Sequence, residues 1–298
     1  MITGIKNQVR IWYMATRPKT LPAAASGVVI GGALAIKDGL FSFWPWLAAV
    51  GVAFLLQIGS NLANDVYDYE RGTDTAERKG PTRVTHAGLL TPGAVKRGML
   101  LVLGAAFLLG VYLTFVRGWV VMAIGLAAIA AAVAYTGGPF PLGYHGLGEV
   151  FVYVFFGQAA VTGTYFVLTG TTSELSWLMA VPVGLIITAL LVVNNLRDIN
   201  EDRAAGKGTL AVRLGVSFTR AEYLACMGIA YGFPVVLVVA GKLPVSSLAV
   251  FLSAPLAYRA ARIVLSENVR SLNPALAFTS QTAFVYSIFF AAGILLPK

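Results

Sequence analysis

Amide and carboxylate side chains gather in "NLANDVYDYERGTD", residues 61–74, where a long apolar segment ends. Four of them are spaced i, i+3, i+4 and i+7, so they share one stripe if the segment is helical. Side chains with oxygen atoms are the ligands that Mg²⁺ prefers in proteins, so this stripe is a candidate metal site. The four residues are Asn61, Asn64, Asp65 and Asp68.

A second acidic stretch, "NNLRDINED", repeats the arrangement over residues 194–202. Asn194, Asp198 and Asp202 are spaced i, i+4 and i+8, and Asn195 flanks them. The simpler interpretation is that both stretches are helix ends that meet water. We favour a functional role, because acids at a helix C-terminus oppose the helix dipole and chance would not repeat the pattern.

The aspartates of the two stretches would repel one another if the fold brought them together near a membrane. Ionisable groups at such a depth are costly and usually functional. A divalent cation resolves the conflict, and Mg²⁺ is typically shared between one or two carboxylates and the phosphates of a substrate. We therefore expect Mg²⁺ as the cofactor.

Basic loops that contain glycine follow both acidic stretches. Their side chains can bind an anion that the metal also holds, since Arg suits bidentate phosphate contacts and Lys provides a point charge. Cytoplasmic loops of membrane proteins are generally basic, so each of these residues can instead reflect the orientation of the protein in the membrane. The loop candidates are Arg78, Lys79, Arg83, Arg203, Lys207 and Arg213.

A metal site, loops that can bind an oxyanion and a location near lipid together indicate a reaction of an allylic diphosphate dissolved in the membrane. Its head group would lie at the metals and its tail among apolar helices. The metals would neutralise the leaving diphosphate as Lewis acids, and an electron-rich acceptor would attack the allylic cation. Soluble enzymes that transfer prenyl groups use similar acid pairs, so the spacing alone is only moderately specific.

The composition places the elements that carry these residues in lipid. Of 298 residues, 57% are hydrophobic and 12% are charged, against roughly 25% charged residues in soluble domains. A soluble all-α protein would show polar stripes, whereas residues 99–116 read "MLLVLGAAFLLGVYLTFV". The net charge of +9 does not indicate a nucleic-acid partner, because the basic residues lie between apolar segments. We expect an all-α integral membrane protein that contacts the lipid bilayer and no nucleic acid.

Nine apolar segments are candidate membrane spans. Most have about the 20 residues that a bilayer core requires, and we expect helices because lipid cannot satisfy exposed backbone groups. No domain linker is evident, so residues 1–298 are expected to form a single transmembrane domain, with a weak repeat between segments 1–4 and 5–8. The segments lie roughly at 18–37, 44–70, 95–115, 118–136, 147–169, 175–202, 218–240, 244–265 and 274–296.

Basic residues lie mostly on one side of these segments. Four of the 22 Lys and Arg residues fall on the opposite side, and the other 18 share the side of the N-terminus. By the positive-inside rule, the N-terminus and both acidic stretches are therefore cytoplasmic. We expect a multi-pass protein of the bacterial inner (plasma) membrane. The four exceptions are Lys37, Arg117, Lys242 and Lys298.

Several strings are similar to those of a known family. "NDVYDYERGTD" and "DINED" resemble the two aspartate motifs of the UbiA superfamily of intramembrane prenyltransferases. Other strings resemble its 1,4-dihydroxy-2-naphthoate prenyltransferase branch, in order from the first segment to the seventh. They are "RPKTLPAA" (17–24), "GPTRV" (80–84), "YTGGPFPLGYHGLGE" (135–149) and "NNLRDINEDRAAGKGTLAVRLG" (194–215).

The resemblance implies nine transmembrane helices around a central cavity, with Mg²⁺ and a polyprenyl diphosphate donor. By motif position, Asn64 and Asp68 would be ligands of one Mg²⁺, and Asp198 and Asp202 would be ligands of another. The catalytic residues that the resemblance implies are Asp65, Asp68, Asp198, Asp202 and Tyr135.

The resemblance also implies positions that contact the substrates. Tyr135 would stabilise the allylic cation through the face of its ring. Arg17, Arg83 and Lys207 match positions expected near the diphosphate. The substrate-binding set is completed by Asn61, Asn194, Asn195 and Arg197.

Two departures from the wider superfamily favour the naphthoate branch. Gly72 stands four residues after Asp68, where the wider motif has an acid, and Asp74 follows. No Lys-Arg pair follows Tyr135, in contrast to the hydroxybenzoate branch. The implied acceptor is 1,4-dihydroxy-2-naphthoate, prenylated with loss of its carboxylate in menaquinone synthesis.

Other interpretations remain open at this point. The acceptor can be another aromatic, such as homogentisate or a chlorophyll precursor. A transporter of divalent cations or anions is the alternative of a different class, because intramembrane acids also mark ion paths. Two further residues have two interpretations each: Tyr144 is a loop aromatic or a cavity wall, and Glu149 is a first-turn acid or a group that faces the acceptor.

Overall fold

The computed structural model describes residues 2–73, 80, 82–266 and 272–296, with side chains from residue 7 onward. Every regular element in these ranges is helical, as the lipid argument predicts. The α-helices are α1 (Ile2–Ala15), α2 (Leu21–Lys37), α3 (Phe43–Glu70), α4 (Pro92–Arg117), α5 (Trp119–Ala134), α6 (Gly148–Val152), α7 (Ala160–Thr169), α8 (Glu174–Arg197), α9 (Ile199–Ala204), α10 (Leu210–Val239), α11 (Ala254–Leu265) and α12 (Asn273–Leu295). The other helical segments are the 3₁₀ turns Pro18–Thr20, Leu142–Tyr144 and Val245–Ser253 and the π-helix Tyr153–Ala159.

Nine apolar helical segments correspond to the nine predicted spans. Within the described residues, eight are long and apolar enough to cross a bilayer, and the ninth, α5, is apolar but has only 16 residues. The π-helix joins α6 and α7 into one span, and a 3₁₀ turn leads into α11 in another. The prediction of an all-α integral membrane protein is confirmed.

The second acidic stretch departs from its predicted form. Asp198 has φ −93° and ψ 8°, so α8 ends at Arg197 and Asp202 lies on the separate helix α9. The prediction of one unbroken helix through residue 202 is therefore wrong. Backbone hydrogen bonds with the i→i−4 spacing of an α-helix continue across the break. The N–H of Asp198 donates to Asn194 O (3.1 Å), and the N–H of Asp202 donates to Asp198 O (2.8 Å).

The seventh span begins earlier than predicted but bends near the predicted start. Its helix, α10, starts at Leu210 and is interrupted at Gly215, which has φ 82° and ψ 175°. Glycine adopts this conformation at little steric cost, so the chain changes direction here. The bend at Gly215 thus lies three residues before the predicted start at residue 218.

Small residues bring the central helices into close contact. A Cβ on Gly31 of α2 would lie 2.5 Å from the backbone oxygen of Val161 on α7. A Cβ on Gly157 would lie 2.7 Å from the Cα of Gly184 on α8. Helices in lipid associate largely through such close packing, because apolar surface alone gives them no reason to leave the lipid.

The helix α5 packs less tightly than its neighbours. Val121 is its single buried residue, although α5 also contributes to the wall of an internal space. That space is lined by residues of α2, α3, α4, α5, α7, α8 and α12 and is the central cavity that the family resemblance implies.

Candidate active site

The cavity has a volume of about 780 Å³, and its charged lining residues all lie at one end. We call this end, where α3 and α8 finish, the acidic end, and the opposite end of the bundle the far end. Twelve of the thirteen residues predicted to form the site line the cavity. They are Arg17, Asn61, Asn64, Asp68, Arg83, Tyr135, Asn194, Asn195, Arg197, Asp198, Asp202 and Lys207.

Asp68 lies at the centre of the first acidic group. Its Oδ2 is 2.5 Å from Nη2 of Arg83, and both side chains are almost fully buried. Its Oδ1 accepts a hydrogen bond of 2.8 Å from the hydroxyl of Tyr144. A buried ion pair with a further hydrogen bond holds the carboxylate in one orientation toward the cavity.

Asp65 is the predicted site residue that does not line the cavity. It is 2% exposed, and its two oxygens accept hydrogen bonds from the backbone N–H groups of Val84 (3.0 Å) and Thr85 (2.9 Å). These bonds fix the loop next to Arg83, the cation that faces Asp68. The contacts give Asp65 a positioning role, and its predicted catalytic role stays a prediction.

The two asparagines of the first stretch contact different elements. Asn61 donates through Nδ2 to Thr16 O (3.0 Å) and Thr20 Oγ1 (3.2 Å), which ties α3 to the turn after α1. Asn64 accepts through Oδ1 from the hydroxyl of Thr136 (2.9 Å), just beyond α5. Both amides thus join neighbouring segments at the wall of the cavity.

The second acidic group is built around Arg197 and Asp198. Nε and Nη2 of Arg197 each donate to one carboxylate oxygen of Asp198 at 2.6 Å. The same guanidinium also contacts Asn194 Oδ1 (2.8 Å) and Asn273 Oδ1 (3.1 Å). This planar fork orients the carboxylate at the point where α8 ends.

Asp202 forms the third pair of opposite charges. Lys207 Nζ lies 3.6 Å from its Oδ1, and the backbone N–H of Lys207 donates to Asp202 O (2.8 Å). Burial raises the pKa of Asp202 to about 6, and the nearby carboxylates of Asp198 and Asp68 add to the rise against the opposing charge of Lys207. The two acidic stretches therefore meet at one end of one cavity.

Tyr144 connects the two acidic groups. Its hydroxyl bonds to Asp68, while its ring lies 5.2 Å from Nζ of Lys207 and 5.3 Å from the guanidinium carbon of Arg71. Burial and the Asp68 carboxylate raise the pKa of this hydroxyl, so it stays a donor. The sequence left Tyr144 undecided between a loop aromatic and a cavity wall; it lies in the turn between α5 and α6 and does not line the cavity, but it contacts residues of both acidic groups.

Two glycines shape the position of Tyr135 at the end of α5. A Cβ on Gly143 would lie 3.0 Å from the Tyr135 ring, and one on Gly148 would lie 2.9 Å from its hydroxyl. The string "YTGGPFPLGYHGLGE" therefore folds back on its own first tyrosine. Its ring forms part of the wall beside the acidic residues.

Glu149 acts on the site through an amide. It is buried at the start of α6, and Asn195 Nδ2 donates to its Oε1 at 2.8 Å. Asn195 lines the cavity whereas Glu149 does not, so Glu149 orients the amide without facing the cavity itself.

Arg17 has an unusual backbone. Its φ of 51° is the one positive φ among non-glycine residues in the described ranges. Such conformations cost free energy and cluster at functional sites, where the surroundings impose them. Here Arg17 begins the 3₁₀ turn ahead of α2 and reaches the cavity wall.

The other basic loop residues are placed differently or lie outside the description. Neither Arg203 nor Arg213 lines the cavity. Arg203 is exposed, and Arg213 donates through Nε to Gly208 O (2.9 Å). Arg78 and Lys79 lie outside the described residues.

The acidic end offers oxygen ligands in pairs. Within the described ranges, no three Asp, Glu, His or Cys side chains group closely enough to hold an ion by themselves. Carboxylates and amides line the same wall instead, Asp68 with Asn64 and Asp198 with Asn194. This donor set fits Mg²⁺ when water or substrate phosphates complete the coordination.

Comparison with known proteins agrees with the fold and the site. The sequence profile of the UbiA prenyltransferase family matches residues 25–295. The chain belongs to the UbiA prenyltransferase family. This UbiA chain is 35% identical to "1,4-dihydroxy-2-naphthoate octaprenyltransferase" of Haemophilus influenzae, over 98% of each chain. It is 39% identical to the protein of that name from Mycobacterium tuberculosis, over 95% of this chain and 96% of the relative.

Solved structures share the fold of this UbiA chain at lower sequence identity. A UbiA homolog from Archaeoglobus fulgidus bound to GPP and Mg²⁺ has a TM-score of 0.68 at 12% identity. The match covers 96% of this chain and all of the other. The predicted UbiA-like fold is confirmed by this likeness and by the family match.

Proposed function

We propose that this protein transfers a polyprenyl group from polyprenyl diphosphate to 1,4-dihydroxy-2-naphthoate, with loss of the carboxylate, in menaquinone biosynthesis. One observation carries the proposal: the two acidic stretches and their cations meet at one end of a cavity, and no charged residue lines the rest of its described wall. That arrangement suits a ligand with an anionic head and an apolar tail. The names of the relatives support the choice of acceptor.

Mg²⁺ is the proposed cofactor, and the GPP complex of the Archaeoglobus homolog supports it. When bound, Mg²⁺ would neutralise negative charge that develops on the leaving diphosphate. Asn64 and Asp68 would hold one ion, and Asp198 and Asp202 the other.

The protein's own residues would bind and orient the donor. Arg83, Lys207 and Arg17 line the acidic end and are proposed to contact the diphosphate oxygens. Arg83 and Lys207 now face Asp68 and Asp202. When the donor binds, these cations would exchange a carboxylate partner for a phosphate partner, so that no buried charge is left alone.

The reaction forms one carbon–carbon bond and breaks two bonds, the allylic C–O bond of the donor and the bond between the acceptor ring and its carboxylate. The allylic C–O bond breaks with its electron pair going to diphosphate, and the electron-rich ring attacks the allylic carbon. The carboxylate leaves as CO₂, and its bonding electrons restore the aromatic ring. Tyr135 would stabilise the allylic cation through its ring face.

A transporter is less compatible with the cavity. Transport would require charged or polar groups along the whole crossing, whereas every charged residue among the described cavity-lining residues lies at the acidic end. In the proposed orientation, the acidic end and the N-terminus face the cytoplasm of a bacterial cell, as the distribution of Lys and Arg indicates.

An acceptor screen tests the proposal directly. Purified protein in lipid nanodiscs receives radiolabelled farnesyl diphosphate, Mg²⁺ and one acceptor at a time: 1,4-dihydroxy-2-naphthoate, homogentisate or 4-hydroxybenzoate. We expect a labelled, decarboxylated product with the naphthoate alone, and none when EDTA replaces Mg²⁺. Faster prenylation of either other acceptor would reject the assignment. Ion flux through proteoliposomes without any prenyl transfer would favour the transporter.

A further inference from the structure

A stripe of exposed residues runs along α11 and the 3₁₀ turn that leads into it, on the outside of the helix bundle. Its members are spaced three or four residues apart, so they share one face of the helix. The opposite face, with Ala257, Ala260 and Val264, is buried. None of the exposed residues lines the cavity. We call them the α11 stripe; they are Leu252, Pro255, Tyr258, Arg259, Arg262 and Leu265.

The polarity of the α11 stripe changes along its length. Leu252 lies toward the far end and is 64% exposed, and Tyr258, also 64% exposed, lies between it and the two arginines. The arginines lie on the side of the acidic end, because α12 follows α11 there and its first residue, Asn273, accepts a hydrogen bond from Arg197 (3.1 Å). Apolar, aromatic and cationic groups thus follow the order of acyl chain, interface and headgroup in one leaflet of a bilayer.

The two guanidinium groups of the stripe have no anionic partner in the described part of the chain. Neither Arg259 nor Arg262 forms an ion pair or a hydrogen bond there, and no Asp or Glu occurs in residues 245–266 or in α12. Arg259 is the seventh residue from the end of α11, so its Cα lies roughly 9 Å inside the helix end at 1.5 Å per residue. A charge at such a depth on a lipid-facing surface is costly unless an anion or water meets it.

The helix α10 holds the end of α11 in place. Arg220 of α10 donates through Nε to Val264 O (2.9 Å) and through Nη2 to Ser266 O. These bonds satisfy carbonyl groups that a helix end leaves without partners. Glu222, two residues after Arg220, lies on another side of α10, where it interacts with Glu149. The two guanidiniums are therefore carried by a fixed helix end, and no carboxylate of the described residues pairs with them.

We propose that the α11 stripe binds one anionic phospholipid of the surrounding bilayer, with the phosphate at Arg259 and Arg262 and the acyl chains along Leu252. Two guanidiniums three residues apart suit charge-assisted hydrogen bonds to one phosphate. The Tyr258 ring, 5.9 Å from the guanidinium carbon of Arg262, steadies that side chain beside the headgroup. The site lies outside the bundle and contains none of residues 267–271, which lie outside the described part. It is independent of the proposed acceptor and of the diphosphate site.

Lipid titrations followed by native mass spectrometry test the inference. Delipidated protein in detergent receives phosphatidylglycerol or phosphatidylcholine with the same acyl chains. We expect the unmodified protein to bind its first phosphatidylglycerol more tightly than phosphatidylcholine. Arg259→Gln and Arg262→Gln should each lower the apparent affinity for phosphatidylglycerol about fivefold, since one basic residue near an anionic leaflet contributes about that factor. Phosphatidylcholine should be affected much less, because its headgroup has no net charge.

Arg97→Gln is the matched control for these substitutions. Arg97 is also exposed and is the sixth residue of α4, at a similar depth on the side of the acidic end. It has no basic residue three or four positions away on its own helix face, so its loss should leave the preference for phosphatidylglycerol unchanged. Replacing both Arg259 and Arg262 by Lys retains the charge and should keep the preference, whereas replacing both by Gln should remove it.

Equal affinity of the unmodified protein for the two lipids would overturn the inference, and so would a preference for phosphatidylglycerol that survives in the double Gln variant. Displacement of phosphatidylglycerol by excess inorganic phosphate would also reject it, because a site for a free anion needs no acyl chain along the stripe. A lower oligomeric state of the double Gln variant with unchanged lipid binding would show that this face contacts a protein instead.

Discussion

The hydroxyl of Tyr144 donates a 2.8 Å hydrogen bond to Oδ1 of Asp68, although the two residues are 76 positions apart in the chain. The ring of the same tyrosine faces Lys207, which pairs with Asp202 of the second acidic stretch. One side chain from the segment between α5 and α6 therefore links both halves of the site. Its loss should disturb the two halves together.

Tyr144→Phe removes the hydroxyl and keeps the ring. We expect about a tenfold or greater loss in kcat/KM for prenyl transfer, because a hydrogen bond to a charged group contributes roughly 1.5–3 kcal/mol. Tyr144→Leu should lose more, since the contact with Lys207 goes as well. The matched control is Tyr112→Phe, an exposed tyrosine on α4 that does not line the cavity. Full activity of Tyr144→Phe would show that the bond to Asp68 is incidental.

Substitutions of acidic residues at the acidic end should reduce prenyl transfer strongly where the side chain faces the cavity and little where it does not. Asp198→Ala and Asp202→Ala should abolish transfer while the protein still inserts and folds, because each removes a proposed Mg²⁺ ligand. Glu70→Gln is the control, since Glu70 ends α3 two residues after Asp68 but pairs with Lys96 at the surface. Its activity should change by less than about twofold, as surface ion pairs contribute little. Turnover is measured at saturating Mg²⁺, and near-normal turnover in either alanine variant would remove the ligand assignment.

Asp65 should behave as a structural anchor for Arg83. Asp65→Ala leaves two buried N–H groups without an acceptor, which costs about 1–3 kcal/mol for each group. We therefore expect a lower Tm and a raised KM for the donor. Asp65→Asn retains one acceptor oxygen and should recover part of both losses. Thermal unfolding and donor kinetics are measured together; a lost kcat at normal Tm would favour the direct catalytic role predicted from the motif.

The sequence predicts the spans well, because they follow from a local rule. A bilayer demands runs of about 20 apolar residues, and the stripe of Asn61, Asn64 and Asp68 follows from helical spacing alone. Twelve of the thirteen predicted site residues line one cavity, and several of them, such as Arg17 and Tyr135, are predicted from the family resemblance and not from spacing. Asp65 shares the motif, but it turns toward the backbone of residues 84 and 85, which spacing cannot reveal.

The cations that pair with the aspartates cannot be predicted from such rules. The sequence indicates that four aspartates would repel one another without metal, whereas the structure places a cation against three of them. Arg197 contacts Asp198 only because the helix ends between them, and Lys207 returns toward Asp202 only because the chain turns after α9. These contacts depend on how the loops close over the cavity.

The ion pairs predict that Mg²⁺ and the diphosphate bind cooperatively. Mg²⁺ alone must displace Arg83 from Asp68 and Lys207 from Asp202, which would leave buried cations without partners. The diphosphate supplies the replacement anion. We expect a non-hydrolysable farnesyl diphosphate analogue to raise the apparent affinity for Mg²⁺ by roughly 5–150-fold, and Mg²⁺ to raise the affinity for the analogue equally.

Calorimetry and hydrogen exchange test this coupling, with Mg²⁺, the analogue, or both present. Protection of residues 82–94 and 203–215 should increase most when both ligands are present, because the exchanged partners join the two loops through one diphosphate. Arg83→Gln should weaken the coupling, since glutamine offers the phosphate no charge and leaves Asp68 open to Mg²⁺. Arg203→Gln is the control: Arg203 is exposed, so this variant should leave the coupling between Mg²⁺ and the analogue unchanged. Independent binding of the two ligands, or full protection by Mg²⁺ alone, would mean that the acids and cations do not form a shared diphosphate site.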